Sequence, residues 1–324
     1  MKKTTVFALV LSGFAGFGVI GNALAQTYPT KPIRVIVPFP AGGGTDIVAR
    51  IVTDALGKTL NAQLIVDNRG GAGGIVGTDL AAKSTADGYT TIIVSGSHAI
   101  NPSLHDKLPY DSVRDFTPIS MLVSAPGLLV VHPSLPVSNV KQLIALATEK
   151  PGVLNYATAG NGTPPHLAAK LFEVLTKVRM VHVPYKGNSQ AMTDLVAGRV
   201  PVSFPTIPSV LSHVKANRLR ALAVTSEKRS AVVPEYPTIA ESGVPEYSAS
   251  SWYGMLAPAG IPTQVTATLS KAIVKAMQTP EVRQKLEARG VDPVGNLAKE
   301  FDLQIKNDIK KWAMVVKEAD VKVE

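Results

Sequence analysis

Three consecutive glycines followed by a threonine and an aspartate form the first stretch of this chain with evident chemistry: Ala41, Gly42, Gly43, Gly44, Thr45 and Asp46. Ahead of them Ile33, Arg34, Val35, Ile36 and Val37 make a short β-branched run closed by Pro38, Phe39 and Pro40, the pattern of a buried strand. Behind them Ile47, Val48, Ile51, Val52, Ala55, Leu56 and Leu60 recur at helical spacing, with Thr45 or Asp46 expected to cap the first turn. A strand, a glycine loop and a helix start in that order leave backbone N–H groups free at the positive end of the helix dipole, where an anion binds. The loop matches neither G-x-G-x-x-G nor the Gly-Lys-Ser/Thr of a P-loop, and Asp46 would repel a phosphate unless its carboxylate is otherwise occupied. A carboxylate held partly through water is the better guest. For one such loop alone, a turn that needs small residues only for packing is the competing reading.

The arrangement recurs. Leu64, Ile65 and Val66 read as a strand that runs through Asn68 and Arg69 into Gly70, Gly71, Ala72, Gly73 and Gly74. Thr90, Thr91, Ile92, Ile93 and Val94 form another, opening onto Ser95, Gly96, Ser97 and His98. Further on, Leu154, Asn155, Tyr156 and Ala157 discharge into Thr158, Ala159, Gly160, Asn161, Gly162 and Thr163, with His166 at the start of the helix that follows. A strand over 180–184 leads to Tyr185, Lys186 and Gly187, and one over 200–204 leads to Pro205 and Thr206. Strands alternating with helices imply parallel βαβ units, whose loops gather at the carboxyl edge of the sheet, where open α/β sheets bind ligands.

Around 116–131 two strand-like runs follow each other with no helix between them, which marks a crossover into a second domain. Ser138 is expected to cap a helix over 140–147. The run Ser251, Trp252, Tyr253, Gly254, Met255 and Leu256 returns the chain to the first domain, and helices near 264–277, 280–288 and 297–316 finish over it. The expected architecture is α/β: residues 26–125 plus 251–324 as domain one and 126–250 as domain two. Each is a mostly parallel sheet flanked by helices, and two crossover strands join them. Facing loops of two such lobes make a cleft that closes on a small solute.

Composition narrows the class. Lys2 and Lys3 precede an apolar segment over 6–20, and Ala23, Leu24 and Ala25 supply a secretory cleavage pattern, so residues 1–25 read as an export signal and the mature chain as periplasmic. That segment is too short and too interrupted by glycine for a membrane anchor. There is no cysteine, hence no disulfide, lipoprotein anchor or thiolate chemistry. The formal charge of +9 includes Lys2 and Lys3, so the mature chain carries +7, and it has no basic run interleaved with aromatics that would bind nucleic acid. Such a bias can steer anionic solutes.

Enzymatic readings have little to stand on. Ser97 and His98 are chain neighbours, badly placed to form a nucleophile and base, and no G-x-S-x-G elbow surrounds Ser97 or Ser189, so a secreted hydrolase is the remote rival. The six histidines show no metal-ligand spacing, and no cofactor motif is present. Ser95, Ser97 and His98 are expected to line the cleft, and His166 either to touch ligand or to pack at its helix start. Lys186 and Thr206 are placed to meet the distal end of a ligand, while Trp252 and Tyr253 read as core or hinge packing.

The motifs 38–46, 68–74, 156–163, 183–187 and 252–258, in that order over nearly all of the mature chain, resemble those of the Bug proteins, the TctC-like solute receptors of tripartite tricarboxylate transporters. The resemblance implies a two-domain Venus-flytrap receptor, working as a monomer without catalysis, metal or cofactor. Such a receptor takes up a small organic acid, whether a di- or tricarboxylate, an aromatic acid or an amino acid, and delivers it to membrane permease subunits; some relatives report to a sensor kinase instead. It also implies that Phe39, Pro40, Ala41, Gly42, Gly43, Thr45 and Asp46 face Thr158, Ala159, Gly160, Asn161, Gly162 and Thr163 across a ligand carboxylate. Backbone N–H groups of 41–45 would bind it directly or through water, with Asp46 accepting from those waters or capping the helix.

Overall fold

In the computed structural model, which describes residues 28–185, 188–319 and 321, the run IRVIV becomes a strand, β1 (Ile33–Val37), with four of its five side chains buried. It continues through the glycine loop into α1 (Gly44–Leu60), which Asn61 ends in the left-handed conformation. β2 (Leu64–Asn68), a single 3₁₀ turn (Ala72–Gly74), α2 (Ile75–Ala82), β3 (Thr90–Ser95) and α3 (Ser97–Leu104) complete the first parallel unit. The export segment at 1–25 and Lys186 lie outside the described residues.

The chain then runs through β4 (Phe116–Ala125) into β5 (Leu128–Val131), α4 (Val140–Glu149), β6 (Asn155–Thr158), α5 (Pro164–Thr176), β7 (Val181–Pro184), α6 (Asn188–Val196), β8 (Val202–Ser203), α7 (Ile207–Lys215) and β9 (Arg220–Val224). It returns as β10 (Ser251–Pro258) and ends with α8 (Thr263–Met277), α9 (Pro280–Glu287), the short β11 (Asp292–Pro293) and α10 (Ala298–Glu318).

Two sheets result, ordered β11-β4-β10-β3-β1-β2 and β7-β6-β8-β5-β9. Pairing directions show that the second repeats the first. β1 is parallel to β2 and β3 as β6 is to β7 and β8, and in each sheet one reversed strand, β10 or β5, lies antiparallel to the neighbours on both sides. Both reversed strands are entered from the other sheet: β4 feeds β5, and β9 leads through 225–250 to β10. Each sheet is therefore mixed rather than mostly parallel, with parallel pairing around β1 or β6 and antiparallel pairing around the reversed strand, and its loops after β1 and β3, or after β6, β7 and β8, share one edge.

Four further details depart from expectation. α3 was not foreseen because Pro102 sits inside it and cannot donate to the His98 carbonyl; the Ser112 hydroxyl donates there instead, at 3.0 Å. Asn139, not Ser138, caps α4, its side chain accepting the Gln142 N–H at 2.9 Å, while Ser138 bonds the Gln142 amide oxygen. β11 is too short to leave a sequence signal. Finally, α10 does not stop at the first domain: Trp312, Val315 and Val316 join Leu167 and Phe172 of α5 in one buried core, so the last helix packs across both sheets.

Candidate functional site

Neither Thr45 nor Asp46 caps α1. The N-cap is Gly43, which has no side chain to offer, so the first turn keeps its N–H groups unbound by any capping side chain. Asp46 reaches backward instead: Oδ2 accepts the Gly42 N–H at 2.8 Å and the Arg50 Nε–H at 3.0 Å, while Oδ1 accepts from Asn68 Nδ2 at 3.0 Å. Asn68 also donates to the Phe39 carbonyl at 3.1 Å. Burial opposes charge on Asp46, but the bonds from Arg50, Gly42 and Asn68 outweigh it and hold the carboxyl below its ordinary range. The carboxylate that would have repelled an anion is consumed in shaping the loop, and Ala41, Gly42, Gly43 and Gly44 are left exposed.

The second glycine-rich loop does different work. A side chain at Gly77 would meet the Arg69 carbonyl at 2.5 Å and Pro38 at 2.8 Å, and one at Gly74 would meet the Phe39 ring at 3.1 Å. Small residues here let the β2–α2 connection lie against Phe39 and Pro40, which braces the first loop from behind.

In the second sheet, the loop after β6 is also fastened by its own helix. His166, buried in α5, accepts the Gly162 N–H on Nδ1 at 3.1 Å, and Thr163 Oγ1 donates to the Gly160 carbonyl at 2.7 Å. The Thr158 hydroxyl pairs with His182 Nε2 at 2.6 Å and accepts the Gly160 N–H at 3.2 Å. The His166 and His182 rings stack at 3.9 Å, and Tyr156 stacks on His182. Burial, the neighbouring His182 and Lys170 push His166 down to about 3; burial and Lys170 push His182 to about 4. Both rings are neutral at ordinary pH, as the hydrogen bond into Nδ1 requires. Asn161 is exposed, and Ala159, Gly160 and Gly162 are half-buried.

Between the sheets lies a cavity of about 510 Å³. Gly44, at the start of α1, and Thr206, the N-cap of α7, both line it, together with Ser209, Tyr253 and Arg289. Neither helix start carries a side-chain cap. Ser209 Oγ donates to the Thr206 carbonyl at 2.8 Å, so in the Thr206–Ser209 hydroxyl contact Thr206 is the donor. The Tyr253 hydroxyl, bonded to Thr45 and raised in pKa by burial, stands where a side chain on Gly44 would sit, 2.7 Å from that position. Ile47, Val48, Leu211 and Val291 supply the apolar wall, and among the described residues no carboxylate lines the cavity. Two helix dipoles and one guanidinium thus give it a positive field.

Of the residues singled out from sequence, Thr206 lines this cavity and the 39–46 loop reaches it only at Gly44; Phe39, Pro40, Ala41, Gly42, Gly43, Thr45 and Asp46 are not among its lining. The 158–163 loop is at the matching edge of the second sheet but does not line this cavity. Ser95 and Ser97 bond each other through their hydroxyls at 2.8 Å. The His98 ring is a correction: it is only 2 % exposed, turned inward between Tyr110 and Phe116, with Nε2–H donating to the Ser112 carbonyl at 2.9 Å. It neither lines the cleft nor reaches Ser97 as a base. Tyr253, Ser209 and Arg289 were missed as cavity residues; the alternation of β10, which sends Trp252 and Tyr253 to opposite faces, was the available signal for the first.

Comparison with known proteins agrees with this architecture. A family model described as "Tripartite tricarboxylate transporter family receptor" matches residues 48–321. The chain is 38% identical over 325 residues, the whole of both chains, to Protein BugT of Bordetella pertussis. Among solved structures it is similar to an R. palustris protein with adipate, at 35% identity and a TM-score of 0.77, covering 91% of this chain and 99% of that one. It is also similar to MatC from Rhodopseudomonas palustris with bound malate, at 30% identity and a TM-score of 0.73, covering 89% and 100%. These are binding proteins rather than enzymes, and among the described residues no helix is long and apolar enough to cross a membrane. Matched along nearly its whole length and folded as two like α/β lobes about a cleft, the chain belongs to the TctC family of solute-binding receptors, to which the Bug proteins also belong.

Proposed function

We propose that this protein captures a small carboxylated solute between its two lobes, 26–125 with 251–324 and 126–250, and delivers it from the periplasm to the membrane subunits of a tripartite transporter. The observation that carries the reading is the meeting of Gly44 and Thr206, at the starts of two helices without side-chain caps from different sheets, in one cavity that no carboxylate of the described residues lines. One carboxylate group lies at the α1 start, where the N–H groups of Ala41, Gly44 and Thr45, those of 41–45 not spent on Asp46 or the Pro40 carbonyl, receive it directly or through water, and the 158–163 loop closes over it from the second lobe. Asp46 contributes by holding the loop in shape.

The wall of Ile47, Val48, Leu211 and Val291 suits an aliphatic body, and Arg289 suits a second anionic end. Dicarboxylic acids are therefore the favoured class, ahead of neutral amino acids and of hydroxylated tricarboxylates. Adipate and malate, which occupy two similar proteins, are the first compounds to try.

Isothermal titration of the unfolded and refolded chain from Gln26 onward, against malate, adipate, citrate, benzoate and aspartate, tests this directly. Stoichiometric binding of one or more of the diacids, weakened by Arg289→Gln, is the expected result. Well-folded protein that binds no carboxylate on the panel would overturn it.

A further inference from the structure

Two segments cross between the lobes, and each narrows to a single residue that neither lobe holds by both neighbours. On the first crossing, Ala125 ends β4 in register with Ser251 of β10. Gly127 already belongs to the second lobe: its N–H donates to Thr225 Oγ1 at 2.7 Å and its carbonyl accepts the Thr225 N–H at 2.9 Å. Pro126 lies between them, with φ fixed by its ring. On the second crossing, the Tyr247 hydroxyl donates to the Ala168 carbonyl of α5 at 3.0 Å and the Ala249 N–H to the Thr225 carbonyl at 2.8 Å, both in the second lobe. Ser251 opens β10 in the first sheet, so Ser250 is the joint.

This second joint is bridged from outside by α10. The helix rides on the first lobe, where Gly254 leaves room for the Phe301 ring and Phe301 meets Trp252 edge to face at 5.1 Å. Asp308, only 2 % exposed, accepts the Trp252 Nε1–H on Oδ2 at 2.7 Å, on the β10 side of Ser250. Lys311, on the next turn, pairs with Asp308 Oδ1 at 2.8 Å and donates from Nζ to the Ser248 carbonyl at 3.1 Å, on the other side of Ser250. Gln304 donates to Asp308 Oδ2 at 3.0 Å and steadies the carboxylate. Such a pair resists rearrangement, because moving either partner away strands a buried charge. Here it grips the chain on both sides of one joint.

We infer that Asp308 and Lys311 are positioning residues for solute capture, a splint across Ser250 that limits how far the lobes separate. The inference rests on the reading that the solute is taken between the lobes. With the splint in place the solute-free receptor stays near the geometry that binds, so less conformational freedom is lost on closure. Neither side chain lines the cleft cavity, and both act through the crossing segment.

The test is the distribution of interlobe distances by pulsed electron spin resonance, with and without saturating malate or adipate. The chain has no cysteine, so spin labels attach only at introduced ones, Val76→Cys in the first lobe and Ser212→Cys in the second, both exposed. The Asp308→Asn/Lys311→Met double variant strands no charge and keeps an acceptor for Trp252, but loses the bond to Ser248. Its solute-free distribution should widen toward longer distances, its solute-bound distribution should match the parent's, and its diacid affinity should fall several-fold. Lys311→Arg, which still reaches Asp308 and the Ser248 carbonyl, should keep the parent distribution. If near-ultraviolet circular dichroism shows the double variant unfolded, Lys311→Gln, too short to span both partners, takes its place with the same expected widening. A solute-free distribution identical to the parent's overturns the inference. Equal widening in Lys311→Arg overturns it too, since the fit of the side chain and not its bonds would then set the joint. Widening in a protein that binds neither diacid keeps the splint and overturns the solute reading instead.

Discussion

The carboxylate of Asp46 accepts the backbone N–H of Gly42 at 2.8 Å, so the helix that begins at Gly44 fastens the loop through which the chain enters it. Arg50 and Asn68 hold the same carboxylate from the other sides. Asp46→Asn replaces an acceptor of three bonds by an amide whose N–H₂ must face donors. The expected cost is about 1–3 kcal/mol of stability, read from the urea midpoint, with a fall in diacid affinity on the order of tenfold. Parent-like values for both would show that the loop keeps its shape without Asp46.

Gly44 and Tyr253 set the floor of the cavity. A side chain on Gly44 would approach the Tyr253 hydroxyl to 2.7 Å, so Gly44→Ala must displace that ring or narrow the site. The single change should weaken diacid binding on the order of tenfold, and Tyr253→Phe, which removes the hydroxyl, should recover part of the loss in the double variant. Strictly additive effects in calorimetry would refute the contact.

Acid should destabilise the protein in a defined window. His98, His166 and His182 are each pushed below the ordinary 6.5, to about 4, about 3 and about 4, chiefly by burial. Each takes up a proton on unfolding between its folded value and 6.5, so stability is complete above that pH and falls as the pH drops toward 4. Each fully buried ring contributes a slope of up to about 1.4 kcal/mol per pH unit. His98→Gln keeps a donor toward Ser112 but does not titrate, so a plot of urea-derived stability against pH should flatten by about one proton. An unchanged slope would mean that His98 is protonated in the fold.

Thr163 Oγ1 donates to the Gly160 carbonyl at 2.7 Å and holds the second lobe's loop closed on itself. Thr163→Val preserves the shape and removes that donor, at an expected cost of about 0.5–1.5 kcal/mol. Because the loop is proposed to close over the solute, affinity should fall several-fold, mainly through a faster off-rate in stopped-flow displacement. A stability loss with unaltered binding would separate this loop from the solute.

The features readable in the sequence were local ones. Prolines and β-branched residues bounded β1, and helical spacing from Ile47 to Leu60 placed α1, because each signal lies within a few residues of the element it specifies. What escaped depends on distant partners. α3 survives Pro102 because Ser112 takes up the stranded His98 carbonyl, and His98 turns inward because Tyr110 and Phe116 wait beside it. Gly44 and Thr206 meet only once two sheets have formed, and Arg289 joins them from a connection after α9 that carries no motif. Glycine loops looked alike as strings, yet Gly77 serves close packing while Gly44 borders a cavity.

The position of β10 has a consequence for how the molecule comes into being. It lies between β3 and β4 in the first sheet but is made after residue 250, when every strand of the second sheet has already been synthesised. The second lobe can close while the first still presents two open strand edges, waiting for a segment that arrives about 150 residues after β3. A chain made in the amino-to-carboxyl direction therefore stays incomplete, and susceptible to chaperones and proteases, until its last quarter has been added.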